Sequence, residues 1–315
     1  MSISSLRIVF MGTPEFAVAS LDALLKAGCT IVGVITAPDK PAGRGMKMTE
    51  SAVKKYAVEH HLTVLQPNKL KNPEFLTTLK SLNADLQIVV AFRMLPEVVW
   101  NMPPMGTLNL HGSLLPQYRG AAPINWAIIN GELETGVTTF KLKHEIDTGD
   151  ILLQERLSIG EYEAAGEVHD RMKEIGANLL VKTIQGLVNE SINEVPQSNS
   201  TIHECEIKHA PKIVSETGKI DFHKTCSDIH NLIRGLSPFP GAFTYLNSKM
   251  LKIYRSEKEL IQYNSTNEGE GSFTTDSKTF LKFKCSDGYI SVKELQLEGK
   301  KKMTIEDFLR GYRFE

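Results

Sequence analysis

The chain has 315 residues, 41% of them hydrophobic, and a formal net charge of −1. This length fits two domains and this hydrophobic share supports ordinary cores, while the near-neutral balance excludes a whole-molecule attraction to polyanions. No apolar run approaches the ~20 residues that span a bilayer, and neither a signal-peptide pattern nor paired spacing of the four cysteines (Cys29, Cys205, Cys226, Cys285) is present, so the expectation is a cytoplasmic protein with reduced thiols and no membrane partner.

Leu6–Met11 is a short apolar run with β-branched residues, the signature of a buried strand. Gly12-Thr13-Pro14 breaks it, and Phe16–Lys26 has helical spacing ended by Gly28, a residue suited to a helix C-cap. Thr30–Thr36 is a second strand, and the strand-helix-strand unit implies a parallel sheet with a right-handed crossover. The turn after the first strand reads Gly-Thr-Pro-Glu-Phe instead of Gly-x-Gly-x-x-Gly, which argues against a nicotinamide dinucleotide as cofactor.

Residues 37–49 read as a polar loop carrying Lys40, Arg44 and Lys47. A helix is predicted over about 50–60, a strand near Val64, a helix over 73–82, and a buried strand over Asp85–Ala91. Met105–Leu110 is a strand, 121–130 a helix, and Val137–Leu142 and Ile151–Leu157 are strands flanking a loop with Asp147. Ala164–Val188 reads as one long helix. Residues 190–209 are polar and aperiodic, a linker by composition. Beyond them a short helix over Thr225–Leu236 precedes several short strands punctuated by Gly, Asn and Asp, the pattern of a small β-barrel. The fold expected is α/β: a Rossmann-like, doubly wound parallel sheet in residues 1–189, the linker 190–209, and a small OB-like β-barrel in 210–315. Charge divides along the same line. Residues 206–315 carry 18 Lys+Arg against 15 Asp+Glu, and residues 1–205 carry 18 against 22, a modest positive bias where a polyanion would be gripped.

The chemistry concentrates around Asn109-Leu110-His111-Gly112-Ser113-Leu114-Leu115-Pro116, with Asp147 in Asp-Thr-Gly-Asp 36 positions after His111. On an extended strand residues i and i+2 share a face, so Asn109 and His111 project side by side at a strand end. A carboxamide, an imidazole and a carboxylate suit acyl transfer to an amine: an oxyanion donor, an acid/base group and a group that orients it. No nucleophile of the chain's own is required. His203, Cys205 and His209 cluster in the linker but match no zinc spacing, so no metal is expected.

These residues resemble the folate-dependent formyltransferase family nearly end to end. The resemblance rests on Gly12-Thr13-Pro14-Glu15-Phe16, Pro38–Gly45, Asn109–Pro123, Thr135-Gly136-Val137-Thr138, Asp147-Thr148-Gly149-Asp150 and Arg234–Gly241. The basic loop and the C-terminal segment resemble the tRNA-acting branch. The resemblance implies 10-formyltetrahydrofolate as donor and the α-amine of methionyl initiator tRNA as acceptor. It implies Asn109 and His111 as stabilisers of the formyl oxygen, and Asp147 as the group that keeps His111 charged and relays the amine proton through water. It further implies that Ser113, Leu114, Leu115 and Pro116 line the tetrahydrofolate site, facing a wall at 91–96, where Arg93-Met94 departs from the family pattern. Lys40, Arg44 and Lys47 would contact tRNA, the barrel would add to the grip, and the protein would act as a monomer. A small-amine acceptor such as a sugar nucleotide is the alternative within the family, but it explains neither the basic loop nor the barrel.

Overall fold

A computed structural model describes residues 2–42, 46–200, 202, 204–261 and 269–314. The chain divides into two compact units: Met1–Gly120, Gly136–Leu157 and His169–His209 form the first, and Ala121–Thr135, Ser158–Val168 and Ala210–Glu315 the second.

The first unit is built on a seven-stranded sheet. Its strands are β1 (Arg7–Gly12), β2 (Thr30–Ile35), β5 (Val64–Leu65), β6 (Leu86–Val90), β7 (Thr107–His111), β9 (Glu134–Lys141) and β10 (Ile151–Ser158), in the order β10-β9-β7-β6-β1-β2-β5. The five strands β7-β6-β1-β2-β5 are parallel, and β9 joins β7 antiparallel. Helices α1 (Glu15–Lys26), α2 (Ala52–Glu59), α3 (Pro73–Ser81) and α4 (Glu97–Trp100) make the crossovers, and α6 (Ala165–Val188) is the long helix expected. Strand alternation decides which residues meet which layer. Val9, Met11 and Val89 pack with Phe75 and Leu79 of α3 on one face. Leu110 and Val137 lie under Gly176 of α6 on the other. Asn109 is the register partner of Val89, so Asn109 and His111 belong to the α3 face while Leu110 faces α6.

The segment 37–49, expected as a loop, contains a small hairpin. β3 (Lys40–Ala42) pairs antiparallel with β4 (Lys47–Thr49), Lys40 opposite Thr49. Three residues a side are too few to give a periodic signal, which is why composition alone reads them as loop. Ser51 caps α2 by accepting the Lys54 N–H.

The second unit carries the expected barrel as a six-stranded antiparallel half-barrel. Strands β12 (Ala242–Leu246), β13 (Lys249–Leu260), β16 (Gly288–Leu297), β15 (Leu281–Cys285) and β14 (Phe273–Thr275) follow one another in space, with β17 (Met303–Thr304) on β16. Register shifts at Arg255 interrupt the β13–β16 ladder, the kind of bulge that curls a sheet. Helix α7 (Cys226–Gly235), capped by Thr225, buries Cys226, Ile229, His230, Ile233 and Arg234; α5 (Pro123–Ile129) packs against its end, Ile129 lying beside Gly235. Helix α8 (Ile305–Gly311) adds Ile305, Phe308 and Leu309 to the same core. Two two-residue strands, β8 (Arg119–Gly120) and β11 (His209–Ala210), and three short 3-10 turns complete the described elements. Cys226 and Cys285, 59 residues apart in sequence, meet in this core with their sulfurs 2.8 Å apart, a pairing that spacing does not reveal. Among the described residues no helix is long and apolar enough to cross a membrane.

Candidate active site

The carboxyl ends of β1, β6 and β7 surround the point where the sheet order reverses, β1 leading outward to β2 and inward to β6. Open α/β sheets place their ligand crevice at such a point. β6 is followed by Ala91, whose φ of 47° turns the chain sharply away. β7 delivers Asn109, partly exposed, and His111, 7% exposed, at its end.

His111 is held at both nitrogens. Nε2 lies 2.9 Å from the carbonyl oxygen of Tyr118. A carbonyl only accepts, so Nε2 carries a hydrogen. Nδ1 lies 3.8 Å from Oδ2 of Asp147, beyond a direct hydrogen bond but within ion-pair range. The edge of the ring meets Phe140, 6.4 Å between centroids. Asp147 Oδ2 also accepts the Gly120 N–H at 2.9 Å. Among the described residues the Asn109 carboxamide has no hydrogen-bond partner. The structure thus brings His111 and Asp147 together and leaves Asn109 two residues back on the same strand face.

The segment Ser113–Pro116 is more deeply placed than a cofactor lining suggests. Ser113 is fully buried and Leu115 is 3% exposed; Pro116 is buried too, and Leu114 is the partly exposed member. The Ser113 hydroxyl donates to Gln117 O at 2.7 Å. Thr138 Oγ1 locks the turn: it donates to Ser113 O at 2.6 Å and accepts from Leu115 N at 3.1 Å and Gln154 Nε2 at 2.9 Å. Thr138 and Gln154 are residues the motif does not name, and only the fold places them behind it.

Lys40 is exposed and lines a cavity of about 360 Å³ with Thr13, Asp39, Asn68, Phe92 and Arg93. Asp39 is held below the ordinary carboxylate range by its hydrogen bond to the Lys54 ammonium, then by Gln66. Arg93 donates to Asn68 O and Pro67 O and stacks near Phe92, so the residue that departs from the family pattern is tied into the wall, while Met94 is 74% exposed. Arg44 lies outside the described residues, as do the side chain of Lys47 and His203.

One group of metal-ligating types is close together among the described residues: Cys226, Cys285 and Asp287. It does not fit zinc. Tetrahedral Zn–S bonds of about 2.3 Å set sulfurs almost 4 Å apart, whereas these are 2.8 Å apart and Asp287 Oδ1 already accepts the Cys226 N–H. Burial pushes both thiols up, away from the thiolate a metal needs.

The first unit has the architecture of a Rossmann-like α/β enzyme, and the second adds an antiparallel half-barrel. The formyl transferase model matches residues 6–184, and the model of the formyl transferase C-terminal domain matches residues 212–313. The chain belongs to the formyl transferase family. Proteins called methionyl-tRNA formyltransferase from Phocaeicola vulgatus and Parabacteroides distasonis are 53% and 51% identical to it, each alignment covering 99% of this chain and 98% of the relative. The counterpart from Azobacteroides pseudotrichonymphae is 50% identical over 99% of this chain and 97% of its own. Among solved structures, the sugar 3N-formyl transferase WlaRD, crystallised with dTDP and 5-N-formyl-THF, aligns with a TM-score of 0.66 at 22% identity, covering 94% of this chain and 99% of that one. HypX from Aquifex aeolicus in complex with tetrahydrofolic acid aligns at 0.64 and 17%, covering 98% of this chain and 48% of that one. At such identities the likeness is one of fold.

Proposed function

We propose that the protein transfers the formyl group of 10-formyltetrahydrofolate to the α-amine of methionyl initiator tRNA, in the cytoplasm and as a monomer. The observation that carries this reading is the pairing of His111 with Asp147 at the end of β7, in a chain about half identical, end to end, to proteins named for that reaction.

The amine attacks the formyl carbon and negative charge gathers on the formyl oxygen. His111 is anchored through Nε2 to Tyr118, which leaves Nδ1 as the reacting nitrogen. With Nε2 already carrying a hydrogen, a second one on Nδ1 makes the approach of Asp147 attractive, and the same hydrogen serves the oxyanion. The Asn109 carboxamide is the second donor. Preorganised donors of this kind are worth ~3–4 kcal/mol each. Asp147, through a bridging water, takes the amine proton toward N10 of the departing tetrahydrofolate. The cofactor lies along Leu114 and the backbone of Ser113–Pro116. Lys40, Arg44 and Lys47 meet the tRNA, arginine through its planar fork and lysine as a point charge.

The test is a formylation assay with methionyl initiator tRNA, methionyl elongator tRNA and small amines, including an amino-sugar nucleotide. Selective formylation of the initiator is expected. Preference for a small amine would overturn the reading.

A further inference from the structure

We propose that Gln197 is a positioning residue for the transfer reaction: its buried carboxamide holds the Asp147 loop in the conformation that sets the carboxylate beside His111. This rests on the reaction proposed above, since it concerns how one group of that site is placed.

Gln197 belongs to the polar segment after α6 that composition marks as a connector, where it opens a short 3-10 turn, Gln197–Asn199. A solvated connector leaves a glutamine in water, yet this one is 6% exposed. Its Nε2 donates to the carbonyl of Asp147 at 2.8 Å and to that of Gly149 at 2.8 Å. Its Oε1 accepts from Arg119 Nε at 3.0 Å and Nη2 at 2.6 Å. Both amide hydrogens and both lone pairs are used, and a turned-over amide would set its NH₂ against the donors of Arg119. The neighbouring segment is fixed as well: Val195 and Ile151 exchange backbone hydrogen bonds, each 2.8 Å.

These bonds close a circuit. Arg119 holds Gln197, Gln197 holds the backbone of Asp147, and the Asp147 carboxylate accepts the N–H of Gly120, the residue after Arg119. The loop needs such a hold. Asp147 has φ 55°, the left-handed region that costs a residue bearing a Cβ. Without the Gln197 amide, two converging carbonyls lose their donor and the carboxylate is fixed from one side only. A shift of about 1 Å at a reacting group costs up to ~100-fold in rate.

The test is Gln197→Glu beside Gln197→Met in the full chain. The first keeps an acceptor for Arg119 but cannot donate to the two carbonyls; the second keeps the shape and makes no hydrogen bond. We expect kcat to fall about 10- to 100-fold in both, with the KM for each substrate within about twofold of the parent, as the rate falls only because the Asp147 loop is misplaced. Amide exchange should quicken in 145–150 and stay unchanged in β13 and β16. Wild-type kcat in either folded variant, or unchanged exchange at 145–150, would overturn the role. Asp147→Asn run in parallel separates the two claims: if it is inactive while Gln197→Glu is fully active, only the Gln197 role fails, and if it is fully active the site reading itself fails.

Discussion

His111 Nδ1 faces Asp147 Oδ2 across 3.8 Å while His111 Nε2 is fixed 2.9 Å from the Tyr118 carbonyl. The ring is held through one nitrogen and turns the other toward the carboxylate, within ion-pair range. Asp147→Asn keeps an acceptor for the Gly120 N–H and removes the charge. The prediction is a fall in kcat of about 100-fold or more, the scale of a lost acid/base or electrostatic group, with an unchanged melting temperature. Near-parental formylation by the folded variant would show that the pair is not part of the chemistry.

Gly149 is required by space. A Cβ built there would lie 1.7 Å from the Lys141 carbonyl oxygen and 3.0 Å from the Phe140 ring, and backbone cannot step aside as a flexible side chain can. Gly149→Ala is expected to destabilise the first unit by roughly 2 kcal/mol or more, the range for steric conflict with backbone, and to displace the carbonyl that Gln197 grips. Denaturant unfolding followed by tryptophan fluorescence measures this; a midpoint equal to that of the parent would contradict the close approach.

What the sequence makes legible follows from signal strength. β1 carries the apolar run Ile8–Met11 and β6 the run Ile88–Val90, while in β7 Asn109 and His111 alternate with leucines two apart, so strand and candidate site emerge together. Asp147 emerges because Asp-Thr-Gly-Asp is a recognisable turn. Gln197 does not, because its importance lies in four hydrogen bonds to residues 48 to 78 positions away, and a polar residue in a polar segment has no periodic trace. Cys226 and Cys285 are hidden for the same reason: their meeting depends on the start of α7 and the end of β15 sharing one core. The burial of Ser113 is a third case, since a serine in a turn reads as exposed until Thr138 is seen to lock the turn from behind.

Acid should loosen the second unit. Burial holds His230 below the ordinary imidazole value of 6.5, and its neutral ring bonds Ser256 Oγ at 3.0 Å and Glu161 O at 3.3 Å. The folded value is depressed, so the contribution is intact above about pH 6.5, the unfolded value, and is lost as pH falls toward and through the folded one. The melting temperature should therefore drop between pH 7 and 5, more steeply in the parent than in His230→Gln. Equal slopes would show that another group governs the acid limb.

The last prediction concerns the grip on tRNA. The positive bias lies after residue 206, and in the half-barrel unit Lys300 and Lys301 are exposed beside β17. Cutting the chain at the linker is a poor test, because α5 belongs to the same unit as α7 and packs on it; removing α7 would bare Ile129. Charge substitutions keep both units whole. Each cation that meets a phosphate releases counterions, so its loss lowers the slope of log affinity against log salt by about 1. Lys300→Glu with Lys301→Glu should weaken tRNA binding and flatten that slope, and Arg44→Ala should impair formylation of tRNA while leaving folate binding intact. Binding measured between low and moderate salt for parent and variants decides it. Identical affinities and slopes for the double variant would place the tRNA contacts elsewhere on the chain, and a loss of folate binding in Arg44→Ala would assign that arginine to the donor site.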